Sequence, residues 1–88
     1  MKRAIKLHPA DTVCVVLVAV NAGEQFVLDG RILTAQENID KAHKVAIENI
    51  AKDSPVYKYG EIIGIAMTDI ESGGHVHNHN LDSEKIMR

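Results

Sequence analysis

Three of the five histidines lie at every second position of one stretch, Gly73-Gly74-His75-Val76-His77-Asn78-His79-Asn80. In an extended chain alternate side chains leave on the same face. The spacing therefore predicts His75, His77 and His79 on one side, with Val76, Asn78 and Asn80 on the other. Three imidazoles in a row can ligate a metal ion or hold an anionic substrate, and each can pass a proton near neutral pH. Gly73 and Gly74 ahead of them predict a tight turn or a close backbone approach. The chemistry alone equally allows a solvated strand edge, because no cysteine or carboxylate completes a set of metal ligands.

The chain has 88 residues with 10 basic and 12 acidic side chains, a net charge of −2. That length suits one small domain, residues 1–88 with a core over about 4–81. Such a domain buries only about 60–65% of its unfolded surface and gains much from a partner. The near-neutral balance argues against a nucleic-acid module that works by electrostatics. With no Trp, one Phe and two Tyr there is no stacking platform for bases either. The single cysteine, Cys14, lies inside an apolar run and reads as a small core residue in a reducing, cytoplasmic setting. Lys2, Arg3 and Lys6 ahead of the run 13–20 resemble a weak signal peptide. Pro9, Ala10 and Asp11 interrupt that approach, and the β-branched run suits a strand better. It is also far too short for a membrane span, which takes about 20 apolar residues.

The elements that must position the histidines are short. Residues 4–7 read as a strand ended by His8-Pro9. The continuous apolar run 13–20 reads as one strand buried on both faces. A turn at 21–24 follows. Residues 25–28 and 31–33 flank Asp29-Gly30, a strong hairpin signal because both residues tolerate a positive φ. Residues 34–50 fit two periods. Ile39, Ala42, Ala46 and Ile50 keep helical spacing, whereas Val45 and Ile47 alternate with Lys44 and Glu48 as in a half-buried strand. Residues 56–59 form another extended piece closed by Gly60. Residues 61–67 are an apolar strand whose Gly64 predicts a bulge or a close backbone contact. Residues 68–72 turn into the histidine stretch, and 81–88 read as a polar tail. No internal repeat is visible. Many short strands with Gly, Pro and Asp turns predict a compact, mostly β domain, with one helical turn near 36–40.

Three segments together carry a family resemblance: His43-Lys44-Val45-Ala46-Ile47, then Val56-Tyr57-Lys58-Tyr59-Gly60-Glu61-Ile62-Ile63-Gly64, then Gly74-His75-Val76-His77-Asn78-His79-Asn80. In order and gaps they resemble the N-terminal SAF domain of altronate and galactarate dehydratases, from about residue 11 to 81. Ala42 stands where that family places a glycine. The resemblance implies a β-clip fold of bent hairpins, with 44–50 as a strand. Those dehydratases carry a large catalytic part, so the chain looks like the detached small subunit that occurs in the family, as it does in sulfolactate sulfo-lyase. The implied partner is a separate large catalytic subunit, and the implied substrate a small hydroxy acid. Self-association is expected when the partner is absent.

Removing water β to a carboxylate takes a base, an acid or metal at the departing hydroxyl, and cations on the acid groups. The resemblance implies His75 and His77 as acid/base groups, and His75, His77 and His79 as metal ligands. Lys44 and Lys58 would pair with a substrate carboxylate, and Arg31 is a weaker candidate. His43 would contact substrate, and Asn80 would fix a hydroxyl or orient a histidine. A divalent ion, iron or magnesium, would be held mainly by the large subunit. Each residue also has a plainer reading. Lys58 suits a solvated edge, Tyr57 and Tyr59 suit core or interface, Asp69 and Glu71 suit turns, and His8 suits the surface. Two other functions compete: a non-catalytic SAF-type binding or structural module, and a simple metal-binding protein.

Overall fold

The computed structural model describes residues 1–84. Its elements are strands throughout: β1 (Lys2–Ile5), β2 (Val13–Val16), β3 (Gln25–Leu28), β4 (Arg31–Thr34), β5 (Lys44–Ala46), β6 (Pro55–Lys58), β7 (Glu61–Ala66), β8 (His75–Val76) and β9 (Leu81–Asp82). They form a six-stranded sheet in the order β4-β3-β1-β2-β5-β8 and a three-stranded sheet β6-β7-β9. Among the described residues only β1 and β3 pair in parallel. The mostly β expectation holds, and the short bent hairpins are compatible with a β-clip.

Two apolar clusters lie on either side of β2 and β5. Cys14, Val16 and Val45 face one, with Phe26, Leu33 and Ile39. Val13, Ala46 and Val76 face the other, with Val56, Ala66 and Ile70. Successive side chains of a strand leave on opposite faces, so these strands are a wall shared by two cores. That is why the run at Val13 carries no polar alternation.

The run does not continue as one strand to residue 20. β2 stops at Val16, and Leu17 and Val18 are exposed. Val20 instead exchanges backbone hydrogen bonds with Ile39 at 2.8–2.9 Å. The pairing partner limits the strand: β1 offers only Ala4 and Ile5 opposite Val16 and Val15. Likewise the expected strand 44–50 is three residues long, and Ile50 forms its own bridge with Ile70. No helical turn forms at 36–40; that segment bends so that Ile39 can bridge Val20. The expected polar tail opens with β9, which pairs with β7. Its last four residues, 85–88, lie outside the described residues.

The backbone also repeats itself, which the sequence did not announce. Four turns, 21–24, 40–43, 51–54 and 71–74, each close with an i to i+3 hydrogen bond. Their third residues, Gly23, Ala42, Asp53 and Gly73, all have positive φ, the type II pattern. Each turn follows a bridged apolar residue: Val20, Ile39, Ile50 or Ile70. The β3–β4 hairpin turns at Asp29-Gly30, and β6–β7 turns at Tyr59-Gly60, with positive φ at all four residues. The two halves align residue for residue except at Ile63, an extra residue on β7 opposite the Val56–Tyr57 step. Gly30 and Gly60, Ala35 and Ala66, and Ile39 and Ile70 coincide between the halves, but most other pairs differ in type. A backbone pattern therefore repeats without a visible sequence repeat.

Candidate functional site

The histidines meet where the two halves join. β8 is antiparallel to β5, with His75 opposite Val45 and Val76 opposite Lys44. That register sets His43, just before β5, beside His75. His43 Nδ1 and His75 Nε2 are 2.9 Å apart, a hydrogen bond that leaves one ring as donor and the other as acceptor. The rings of His43, His75 and His77 stack with centroids 4.9–5.3 Å apart. His79 lies 5.5 Å from His75, ring to ring.

The predicted extended strand is only partly present. β8 ends at Val76, and the chain turns at 77–80, where the amides of Asn80 and Leu81 both donate to His77 O. Asn80 holds this turn. Its buried amide donates to His75 O at 2.8 Å and accepts from His77 N at 2.9 Å. Both ends of that side chain are engaged by backbone, so Asn80 orients the histidines. Gly73 precedes them with a φ of +86, and a Cβ there would run into Thr34 O. Only glycine fits that approach.

His75 is pushed below the ordinary histidine range. Burial is the main cause, and the charges of His43, His77 and His79 add to it, while Glu37 opposes them. The neutral imidazole that results is the form that accepts a proton or binds a metal. Nitrogen atoms of His43, His75 and His77 all lie within 4.8 Å of one another. A second group within the same limit is Glu37, His75 and His79. Glu37 lies outside the segments that the sequence marks. Its Oε2 accepts from His75 N at 3.0 Å, across 38 positions of sequence, and nothing local marks it.

The lysines sit apart from the histidines. Lys44 pairs with Val76, which faces the second core, whereas His75 pairs with Val45, which faces the first. Lys44 is lowered from the usual lysine range by burial first and then by the charge of Lys58. Lys44 and Lys58 are thus near each other, and among the described residues no lysine is one of the charges acting on His75. Lys58 also lies 5.0 Å over the ring of Tyr59. Tyr59 is exposed and Tyr57 half-buried. Arg31 is exposed on β4.

Three residues outside the histidine cluster have specific structural contacts. Buried Asp11 accepts from the backbone of Tyr59 and Gly60 at 3.1 and 2.8 Å, so its carboxylate clasps the β6–β7 turn. Exposed His8 lies against Gly60, where a Cβ would touch its ring. Asp69, expected in a turn, accepts from Lys52 N at 2.8 Å. A hollow of about 310 Å3 opens beside the histidines, lined by Gln36, Glu37, Asp69, Glu71, His79 and Asn80 among others. No helix among the described residues is long and apolar enough to cross a membrane.

Residues 2–84 match the family model described as the altronate/galactarate dehydratase SAF domain. Altronate dehydratase of Escherichia coli is 41% identical over 76 residues, which is 86% of this chain and 15% of that protein. Altronate dehydratase of Bacillus subtilis is 36% identical over 80 residues, 91% of this chain and 16% of its own length. The (2R)-sulfolactate sulfo-lyase subunit alpha of Chromohalobacter salexigens is 36% identical over 87 residues, 90% of this chain and 93% of that subunit. The chain therefore spans about one sixth of the two dehydratases.

Proposed function

Because this chain belongs to the altronate/galactarate dehydratase SAF-domain family, we propose that it is the small subunit of a sugar-acid hydro-lyase. In this reading it lends histidines to an active site completed by a large subunit, in the cytoplasm. The observation that carries the reading is the meeting of His43 with His75 and His77, which joins the first and third family segments in one cluster.

The chemistry follows from the arrangement of the cluster. His75, held neutral, takes the proton from the carbon next to the carboxylate. His77, on the turn clamped by Asn80, gives a proton to the departing hydroxyl. His43 holds the His75 ring through the 2.9 Å contact and fixes its tautomer. Lys44 and Lys58 offer positive charge to an acid group from the other side of β5, so a substrate carboxylate reaches them around the end of β8 or from the large subunit's side. A divalent ion, when bound, assists the departure of the hydroxyl as a Lewis acid. The imidazoles suit iron better than magnesium, which prefers oxygen ligands.

A second reading has its own support. The sulfo-lyase alpha subunit matches along 93% of its length. There the same cluster would serve sulfolactate, with sulfite leaving in place of water. Reconstitution decides between them. The chain is mixed with a large subunit and divalent metal, and loss of altronate, galactarate and sulfolactate is followed. Activity that needs both chains and falls at least about 100-fold in His75→Ala and His77→Ala is the expected result, in line with the usual contribution of a general acid or base. Activity of the large subunit alone, unchanged by this chain, would leave it a binding or structural module.

A further inference from the structure

Glu37 lies outside all three family segments, yet its carboxylate reaches the histidine cluster. It belongs to a group with His75 and His79 whose ligating atoms lie within 4.8 Å of one another. This group differs from the three-histidine group in two ways. Glu37 and His79 are exposed and His75 half-buried, so it is the more accessible of the two. It also borders the hollow, whose wall carries Glu37, Asp69 and Glu71 and, among the described residues, neither lysine nor arginine. An acid-walled hollow repels a free hydroxy-acid anion and attracts a cation.

We propose that Glu37, His75 and His79 form a seat for a divalent transition-metal ion whose open positions face the hollow and there take the substrate's hydroxy-carboxylate. The seat rests on the lyase reading but changes two roles in it: His75, with both ring nitrogens engaged, holds the ion and leaves the proton to a base of the large subunit, and the ion, ahead of Lys44 and Lys58, brings the anion into the acidic hollow. Two imidazoles and one carboxylate are the donor set that leaves positions open on iron-class metals. Hard magnesium or calcium ions would prefer oxygen donors alone. The backbone hydrogen bond from His75 N orients the Glu37 carboxylate through Oε2 and leaves Oε1 for the ion. His75 Nε2 is engaged by His43, which leaves Nδ1 as its ligating atom. His43 then stands behind the metal ligand as its hydrogen-bond partner.

The test uses the full chain alone, without an affinity tag, titrated with Co2+ and followed by its visible absorption. One ion per chain is expected. Glu37→Gln and His79→Ala should each weaken binding about tenfold or more, since even outer partners of a metal are worth 10–100-fold. Glu37→Gln keeps an oxygen for the His75 amide and so keeps the fold. His77→Ala should change affinity less than about threefold, because His77 belongs only to the other group. Glycolate added to the Co2+-loaded chain should shift the spectrum. No stoichiometric binding, loss of binding in His77→Ala with Glu37→Gln unaffected, or a spectrum indifferent to glycolate would each overturn the seat. None of these results depends on activity, so the lyase reading stands or falls separately by reconstitution.

Discussion

At the scale of single residues, the histidines owe their arrangement to Asn80. Its one amide satisfies a donor and an acceptor of the backbone it encloses, His77 N and His75 O. Asn80→Asp keeps the shape but replaces the donating NH2 by a second oxygen, set against a carbonyl. Leaving buried partners unmatched costs about 1–3 kcal/mol. Asn80→Asp should therefore lower stability by that amount, read from urea unfolding. It should also shift the ring signals of His75 and His77 in NMR spectra while leaving His8, far along the chain on the surface, unmoved. An unchanged pair of ring signals would show that the turn at 77–80 is held by something else. The asparagine is legible as a motif member, but the motif alone does not say whether it fixes a hydroxyl or orients a histidine. The turn at 77–80 engages its amide with His75 O and His77 N, and alternation along an extended strand does not contain that turn.

At the scale of elements, the four type II turns set where β3, β5, β6 and β8 start, and their third residue decides the cost. Ala42 sits there with a φ of +69, a conformation that costs an L-residue roughly 1–2 kcal/mol. Ala42→Gly removes that cost, less the entropy glycine adds to the unfolded chain. A net gain of about 0.5–1 kcal/mol is expected in thermal unfolding. Gly73→Ala at the equivalent turn has the opposite sign, because a Cβ there meets Thr34 O and the backbone of β4 must move. A loss of about 3 kcal/mol or more is expected. Equal effects of the two substitutions would mean the turns do not share a backbone. The hairpin at Asp29-Gly30 was readable from two residues because both favour positive φ. Its counterpart at Tyr59-Gly60 carries no such paired signal. Tyrosine rarely takes positive φ, and here the Asp11 carboxylate holds the turn from 48 positions away.

At the scale of the whole molecule, the two cores share one wall, β2 and β5, so neither half can lose its packing alone. Cys14 stands in that wall, 1% exposed, and burial pushes its thiol up to about 12. Only the thiolate reacts with an alkylating reagent. Iodoacetamide labelling of Cys14 at pH 8 should therefore proceed only as fast as the molecule opens. Its urea dependence should match that of the circular dichroism transition, as a single cooperative unit requires. Labelling that runs ahead of the loss of strand signal would show that the wall opens locally and that the halves unfold separately.

The sequence by itself determined the class of the domain, the residues of the histidine motif, the first hairpin turn and the apolar residues that fill the cores. Those features depend on side-chain type and on spacings of a few residues, which act within one strand or turn. Only the tertiary structure decided that His43 meets His75, that Glu37 joins them, that Lys44 and Lys58 face away, and that a long apolar run is cut at Val16. Each of these is set by the pairing of strands distant in the chain. A register such as Val45 opposite His75 arises from packing two cores against one wall, and no local spacing encodes it.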